Sequence, residues 1–497
     1  MRRFFSIVAA VAGAWLLSAC STVGRVQDNA IACEVAIVGG GAAGLHTAYR
    51  LGQRLGDRVC LFERSDRLGG RIYDVGKDPG ASDGPYVAVG ARRMMEGQEV
   101  LFKLAEELGL ALQKPDEKAD LIFARGMYST NKDDFVKLYP GVKFDAAKGD
   151  AETQLLEALL KSDERRRVDQ YPDFRSYGEQ VIGPAAFQYL RDMSRFRFDF
   201  EYPLSARSYL DFLEEEMDVC CQASYPVGGM SSFIRGMEQK ARASGVRIFT
   251  GETVLAVDRT EGGYTLTTGK RRVAGQRVVI AVPPQALERI GGGIVEAIRA
   301  QPQFKALVGV RVTTIAQWYD TAWWKDLARV SDGKGVWRAW TTDHCLNFIE
   351  MPQEDYAAAQ NVVRAVYTDR ADCAKMWADL ARAGDGELER EVQKGLQHLF
   401  ASNGVTRPVD VGKAARTFYW DWPDAWYYVR SGVPYSNQDI YDWAVEPLRG
   451  EDVALAGEGY NPQRSTWSDG AYKSSIHLLN TRYGMNLPGL QPRAAAR

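Results

Sequence analysis

The chain has 497 residues, 62 Lys+Arg against 64 Asp+Glu for a formal charge of −2, and 45% hydrophobic residues. That is ordinary globular composition with apolar material for large cores, enough for two to four domains, and the absence of a cationic surplus argues against a nucleic-acid binder. Four histidines (His46, His344, His398, His477) without an HExxH or HxH pair disfavour a histidine-built metal site and a Ser-His-Asp hydrolase, whereas eleven of the twelve tryptophans crowd between Trp318 and Trp467.

Residues 1–20 read MRRFFSIVAAVAGAWLLSAC. Two arginines ahead of an uncharged apolar run have the layout of an export signal, and the run is short for a membrane span of about 20 residues. Leu17-Ser18-Ala19-Cys20 resembles a bacterial lipobox, which implies cleavage before Cys20 and lipid on its thiol. Arg2-Arg3-Phe4-Phe5 resembles a degenerate twin-arginine signal, and Ser21 after the cysteine favours the outer membrane by the same resemblance. The expectation is a periplasmic, lipid-anchored protein. Six further cysteines remain, Cys220 and Cys221 adjacent, and buried free thiols are the default for them because pairing cannot be read from sequence.

The strongest local signal follows. Glu34-Val35-Ala36-Ile37-Val38 looks like a buried parallel strand and runs into Gly39-Gly40-Gly41-Ala42-Ala43-Gly44, a GxGxxG, and then into a helix-like stretch that carries His46 as an ordinary helix side chain. Gly39 permits the tight turn, Gly41 lets a pyrophosphate approach the backbone, and Gly44 lets helix and strand pack closely. The pyrophosphate then sits at a helix N-terminus, where amides and dipole favour an anion. A second strand, Arg58 to Phe62, ends in Glu63, the acid about 20 residues on that accepts ribose hydroxyls.

Glu63-Arg64-Ser65-Asp66-Arg67-Leu68-Gly69-Gly70-Arg71 resembles the second glycine motif of the FAD-dependent amine oxidases. Tyr225 to Met230, Val246 to Phe249, Thr253 to Val257, Arg277 to Pro284, and Ala456-Gly457-Glu458-Gly459 with Trp467 to Ser475 resemble further motifs of that family, in its order, over residues 34–480. The chain thus resembles the flavin-containing amine oxidases, in their L-amino-acid oxidase branch. The resemblance implies an α/β fold: a Rossmann-type (GR2-like) FAD domain assembled from 31–95, 226–290 and 445–487, a helical insert over 96–225, and a substrate domain of mixed sheet and helices over 291–444. Helix-like stretches are expected at Glu99–Leu108, Glu152–Arg167 and Glu387–Phe400, strands at Ala306–Ile315 and Val362–Tyr367, and a frayed tail from Pro488.

The resemblance also implies roles. FAD, bound non-covalently because no cysteine precedes the Glu458 motif closely, would lie on Gly39, Gly41, Ala43, Gly44, Glu63, Arg64, Gly70, Arg71, Arg92, Val254, Glu458, Trp467 and Ala471. Val89-Gly90-Ala91-Arg92-Arg93-Met94 resembles the segment whose arginine pairs with a substrate α-carboxylate, with Arg93 in that place and Arg92 where the family has Met, so that either arginine could point inward. Trp420, Trp426 and Trp467 are expected as substrate walls. Lys305 is the candidate for the family's lysine near flavin N5, or Arg311 if two residues are inserted. The implied activity is oxidation of an L-α-amino acid with O2 or another acceptor. Amine or polyamine oxidase, dehydrogenase and amino-acid monooxygenase of the same fold stay open, as do a flavin-bearing binding protein and a homodimer.

Overall fold

The computed structural model describes residues 30–77, 86–115, 118–218, 222–329, 335–351, 361–384, 386–402, 409–462 and 467–488. The leader, Cys20 and the Cys220-Cys221 pair lie outside the described residues. Among the described residues no helix is long and apolar enough to cross a membrane.

Strand β1 (Ile31–Val38), helix α1 (Ala42–Leu55) and strand β2 (Val59–Phe62) form the expected dinucleotide-binding unit. The β-branched run of β1 is buried on both faces, as a central parallel strand requires. It lies between β2 and Arg272–Ile280, and the sheet extends through Arg247–Phe249 outside β2 and through Gly263–Thr268, Val254–Thr260 and Val453–Leu455 beyond Arg272–Ile280. Strands from three distant stretches of chain thus share one sheet. The C-terminal helix Ser468–Tyr483 packs on α1, where Ser475 Oγ lies 2.9 Å from His46 Nδ1 and 2.7 Å from Thr47 Oγ1. His46 is therefore a buried packing residue, as expected.

The second seven-stranded sheet is the roof over the first. Its order is Arg416–Val429, Leu307–Trp318, Val362–Thr368, Phe348–Glu350, Val336–Thr341, Ala119–Ala124, Met127–Ser129. The last two strands come from the insert expected to be helical. They are too short to stand out from helix in the sequence; Ala119–Ala124 pairs with Val336–Thr341, and Met127–Ser129 pairs with Ala119–Ala124. The rest of that insert is largely helical, with Ala151–Lys161, Phe174–Ile182, Pro184–Met193 and Ala206–Asp218. One face of the roof buries Leu121, Ala339, Ile349, Val363 and Ala365 against Trp323, Trp377 and Phe400. The other face looks toward the helical insert and the dinucleotide domain.

Among the described residues two disulfides correct the free-thiol expectation for four of the six cysteines. Cys33–Cys60 ties β1 to β2, and Cys345–Cys373 ties the turn before Phe348–Glu350 to the helix Ala371–Ala383. Neither is foreseeable from spacing, because strand register brings the partners together.

Candidate active site

The glycine turn has the shape a pyrophosphate needs. Gly44 allows α1 to approach β1: a Cβ there would lie 2.0 Å from the Gly39 carbonyl oxygen and 3.0 Å from Ala281 Cβ. A Cβ at Gly41 would meet nothing nearer than Gly70 Cα at 3.9 Å, so that glycine guards space rather than packing. Gly41 is also the N-cap of α1 and provides no side-chain acceptor, which leaves the first-turn amides for an anion. The Gly69-Gly70 turn bridges to Gly41, so both glycine motifs border one space. Glu63, at the end of β2, accepts from Gly40 N at 2.7 Å and from Ser65 N and Oγ at 2.9 and 2.7 Å. Ala43, Val254 and Ala471 are buried where the motif order expects them, while Arg64 is exposed beyond Glu63.

Arg71 and Glu458 come together at 2.6 Å, and Arg71 also donates to Ala425 O at 2.7 Å. Burial alone would lower the Arg71 pKa; the Glu458 carboxylate outweighs it and holds the guanidinium above its ordinary value. Trp467 caps the C-terminal helix, whose first turn has no side-chain cap, and Ser468 Oγ is buried there with no protein partner. A glycine cradle, the open first turn of α1 and this orphaned hydroxyl at the start of the C-terminal helix fit a flavin dinucleotide.

The residues expected on the substrate side, Arg93, Trp467 and Trp420, have these neighbours. Arg93 Cζ lies 6.0 Å from the centre of the Trp467 ring, and Trp467 Nε1 donates to Glu216 Oε1 at 2.6 Å. Trp420 stands edge-on to Tyr73 at 4.9 Å and to Trp422 at 5.4 Å, and Trp422 Nε1 donates to Val89 O at 2.7 Å. Arg93 thus pairs with Trp467, and Trp420 with Tyr73 and Trp422, a ring that the sequence reading left to packing.

Four expectations change. Trp426 is buried against Phe196 and Phe198 in the core shared with the helical insert, and is no substrate wall. Arg92 does not face the glycine cradle: it donates to Glu350 Oε1 at 2.6 Å and lies over the Tyr225 ring at 5.3 Å. Lys305 is exposed in the turn before Leu307–Trp318. Arg311 bonds Asp421 Oδ1 at 2.8 Å, on the opposite face from Trp420 and Trp422. On the inner face, Val312 and Thr314 stand opposite Trp422 and Trp420, so period-2 alternation sends Arg311 outward. The inner residue is Thr314, buried, with no partner for Oγ1.

The sequence reading missed a row of charges across the roof. Register places Asp120, Arg338, Glu350 and Arg364 on four adjacent strands, side by side on one face. Arg338 takes Asp120 through two bonds of 2.7 and 2.9 Å. Glu350 is shared by Arg92, Arg364 and, at 3.9 Å, Arg93. Burial and then the neighbouring Arg92 and Arg93 pull Arg364 down to about 9, only partly offset by Tyr367; burial and Arg195 do the same for Arg338, also to about 9. The signal available was a lone charge inside each apolar strand run (Val336-Trp337-Arg338-Ala339-Trp340, Phe348-Ile349-Glu350), which spacing alone cannot tell from an edge residue.

Comparison with known proteins gives the same architecture. Aplysianin-A of Aplysia kurodai is 22% identical over 90% of this chain and 89% of its own length. The L-amino-acid oxidase of Siganus canaliculatus is 23% identical over 89% of this chain and 84% of its own. The structure of cyclohexylamine oxidase from Brevibacterium oxydans IH-35A superposes with a TM-score of 0.66 at 16% identity, covering 91% of this chain and 99% of that one, which shows a shared fold. The family described as flavin containing amine oxidoreductase matches residues 42–477. The chain belongs to the flavin-containing amine oxidoreductase family and is an FAD-dependent oxidoreductase.

Proposed function

We propose that the enzyme oxidises an L-α-amino acid to the 2-oxo acid, ammonia and H2O2, consuming O2 and one water. The observation that carries this is Arg93, a guanidinium beside the Trp467 ring at the substrate space, whose nearest carboxylate oxygen stands 3.9 Å away and is already held by Arg92. A planar guanidinium so placed suits two parallel hydrogen bonds to an α-carboxylate. Flavin, when bound, supplies the hydride acceptor. The chain's residues then bind, orient and keep the site dry: Arg93 fixes the carboxylate, and Trp467, Trp420 and Trp422 form apolar walls that exclude water. No histidine base is required, and His344 and His477 lie in the contact range of Glu391 and Asp442.

An anaerobic flavin-bleaching panel of L-amino acids and simple amines tests the assignment. Bleaching by amino acids, weakened about ten- to hundred-fold in kcat/KM by Arg93→Ala, is the expected result, corresponding to about 1.5–3 kcal/mol for a charged hydrogen bond. Bleaching by amines but not by their carboxylated counterparts overturns it. We further propose that the chain is exported and lipid-anchored at Cys20; the two disulfides support an oxidising compartment.

A further inference from the structure

Among the described residues the row of charges on the roof leaves two guanidiniums short of a close carboxylate, one held only at 3.9 Å by Glu350 and one with none in ion-pair range. Arg92 and Arg364 share Glu350, and Arg338 is taken by Asp120. Lys132, whose ammonium lies 5.4 Å from the Trp340 ring, is closed by an ion pair with Glu152. Arg93 is one remainder. The other is Arg195, which sits between the helix Pro184–Met193 and the roof. Its backbone is pinned there, since Asn347 Nδ2 donates to Arg195 O at 2.9 Å. Its guanidinium lies over Trp340 and Phe348, at 5.9 and 5.8 Å from the ring centres. Trp340 and Phe348 are cross-strand partners one step along the same face from Arg338 and Glu350. Among the described residues no carboxylate stands within ion-pair range of Arg195.

These two cations feel each other. Burial lowers Arg195 first, Asp120 partly offsets this, and Arg93 lowers it further. Among the described residues five guanidiniums (Arg92, Arg93, Arg195, Arg338 and Arg364) and Lys132 thus lie around Glu350, Asp120 and Glu152, with Glu216 engaged by Trp467 at the margin. A buried surplus of this kind is costly unless an anion arrives with the ligand. An apolar or cationic side chain would leave Arg195 uncompensated.

We propose that the substrate is a dicarboxylic amino acid, its α-carboxylate on Arg93 and its side-chain carboxylate on Arg195. This rests on the amino-acid oxidase reading and specifies its substrate class. A carboxylate at each end of the substrate supplies one anion to each guanidinium, whereas the amide analogue offers Arg195 a neutral oxygen and a pair of unwelcome N–H donors. Arg195 acts by discrimination between side chains; the oxidised Cα–N bond is held from the Arg93 end.

The holoenzyme tests this with L-glutamate and L-aspartate against L-glutamine, L-asparagine, L-leucine and cyclohexylamine, read by anaerobic flavin bleaching and by H2O2 release. The diacids should exceed their amides in kcat/KM by about ten- to hundred-fold, and Arg195→Gln should bring the diacid-to-amide ratio close to one. Arg195→Lys should keep part of the preference, which separates charge from packing, and glutarate should perturb the flavin spectrum of the wild type but not of Arg195→Gln at the same concentration. Faster turnover of neutral amino acids overturns the proposal and leaves the oxidase reading standing. Bleaching by cyclohexylamine alone overturns both.

Discussion

Glu350 is the keystone of the roof charges, and its neutralisation makes the sharpest structural prediction. The side chain is almost fully enclosed, at 1% exposure, and its two oxygens face Arg92 at 2.6 Å, Arg364 and, more distantly, Arg93. Glu350→Gln keeps the shape and removes the charge, so two buried guanidiniums lose the carboxylate they share. Breaking a buried ion pair by removing one partner costs about 3–5 kcal/mol. In a chain of this size one kcal/mol moves the melting temperature by about 1–2 °C, which gives a drop of about 3–10 °C. The assay is the melting temperature of FAD-loaded protein at a fixed scan rate, with flavin content measured alongside. Adding Arg364→Met should recover part of the loss, since it removes one of the two stranded guanidiniums, and the two changes should be less than additive. A drop below about 1 °C, or full additivity, would refute the view that Glu350 neutralises this cluster.

Gly41→Ala and Gly44→Ala should separate cofactor space from packing. Gly44→Ala drives a Cβ to 2.0 Å from Gly39 O and should cost soluble expression, whereas Gly41→Ala meets only Gly70 Cα at 3.9 Å and should fold with a reduced flavin-to-protein absorbance ratio. Reduction of the two disulfides should lower the melting temperature, each closing a loop of just under 30 residues worth about 3–4 kcal/mol; an unchanged melt on treatment with dithiothreitol would refute their formation. Burial holds the His46 pKa well below its ordinary value, and Arg50 adds to the effect. The unfolded chain therefore binds the proton first, so stability is lost as pH falls below 6.5. Burial places His344 and His477 in the same window, while Asp369, raised by burial to about 6, works in the opposite direction. His46→Gln should flatten the decline between pH 6.5 and about 5 in a melting-temperature profile.

The dinucleotide half was legible because its chemistry is local. Gly39, Gly41, Gly44 and Glu63 fall within one strand–helix–strand unit, and each glycine has a reason that a short window of sequence contains. The roof was not, because its chemistry depends on register. Asp120 and Glu350 are 230 residues apart, yet strand pairing sets Arg338 between them. The same lack of register misplaced Arg311, which alternation turns outward, and Arg92, whose neighbour Arg93 takes the substrate side. The helical insert hid two strands because a six-residue and a three-residue segment have no period of their own to display.

The tryptophan excess resolves into two populations with different physics. Trp318, Trp340 and Trp377 are among the largest fully enclosed side chains, and Trp323 and Trp324 pack edge-to-face at 5.7 Å on the far side of the roof. Trp323, Trp324 and Trp377 back the sheet from the far side, whereas Trp318 packs with Val89 and Trp420, and Trp340 lies on the face that carries Arg338. Trp420, Trp422 and Trp467 stand on the near side, each with a polar or aromatic neighbour drawn from another part of the chain: Tyr73, Val89 O and Glu216. A roof that must hold several guanidiniums in a dry space needs both. Without the rigid backing, the strands bearing Arg338, Glu350 and Arg364 could shift and let water screen the charges; without the near-side rings, the space between Arg93 and the flavin cradle would be wet, and carboxylate recognition there would weaken toward its value in water. Trp323→Ala should consequently raise KM for a carboxylated substrate more than it lowers kcat, although Trp323 touches no part of the site. A fall in kcat with unchanged KM would instead assign the far-side tryptophans to global stability alone.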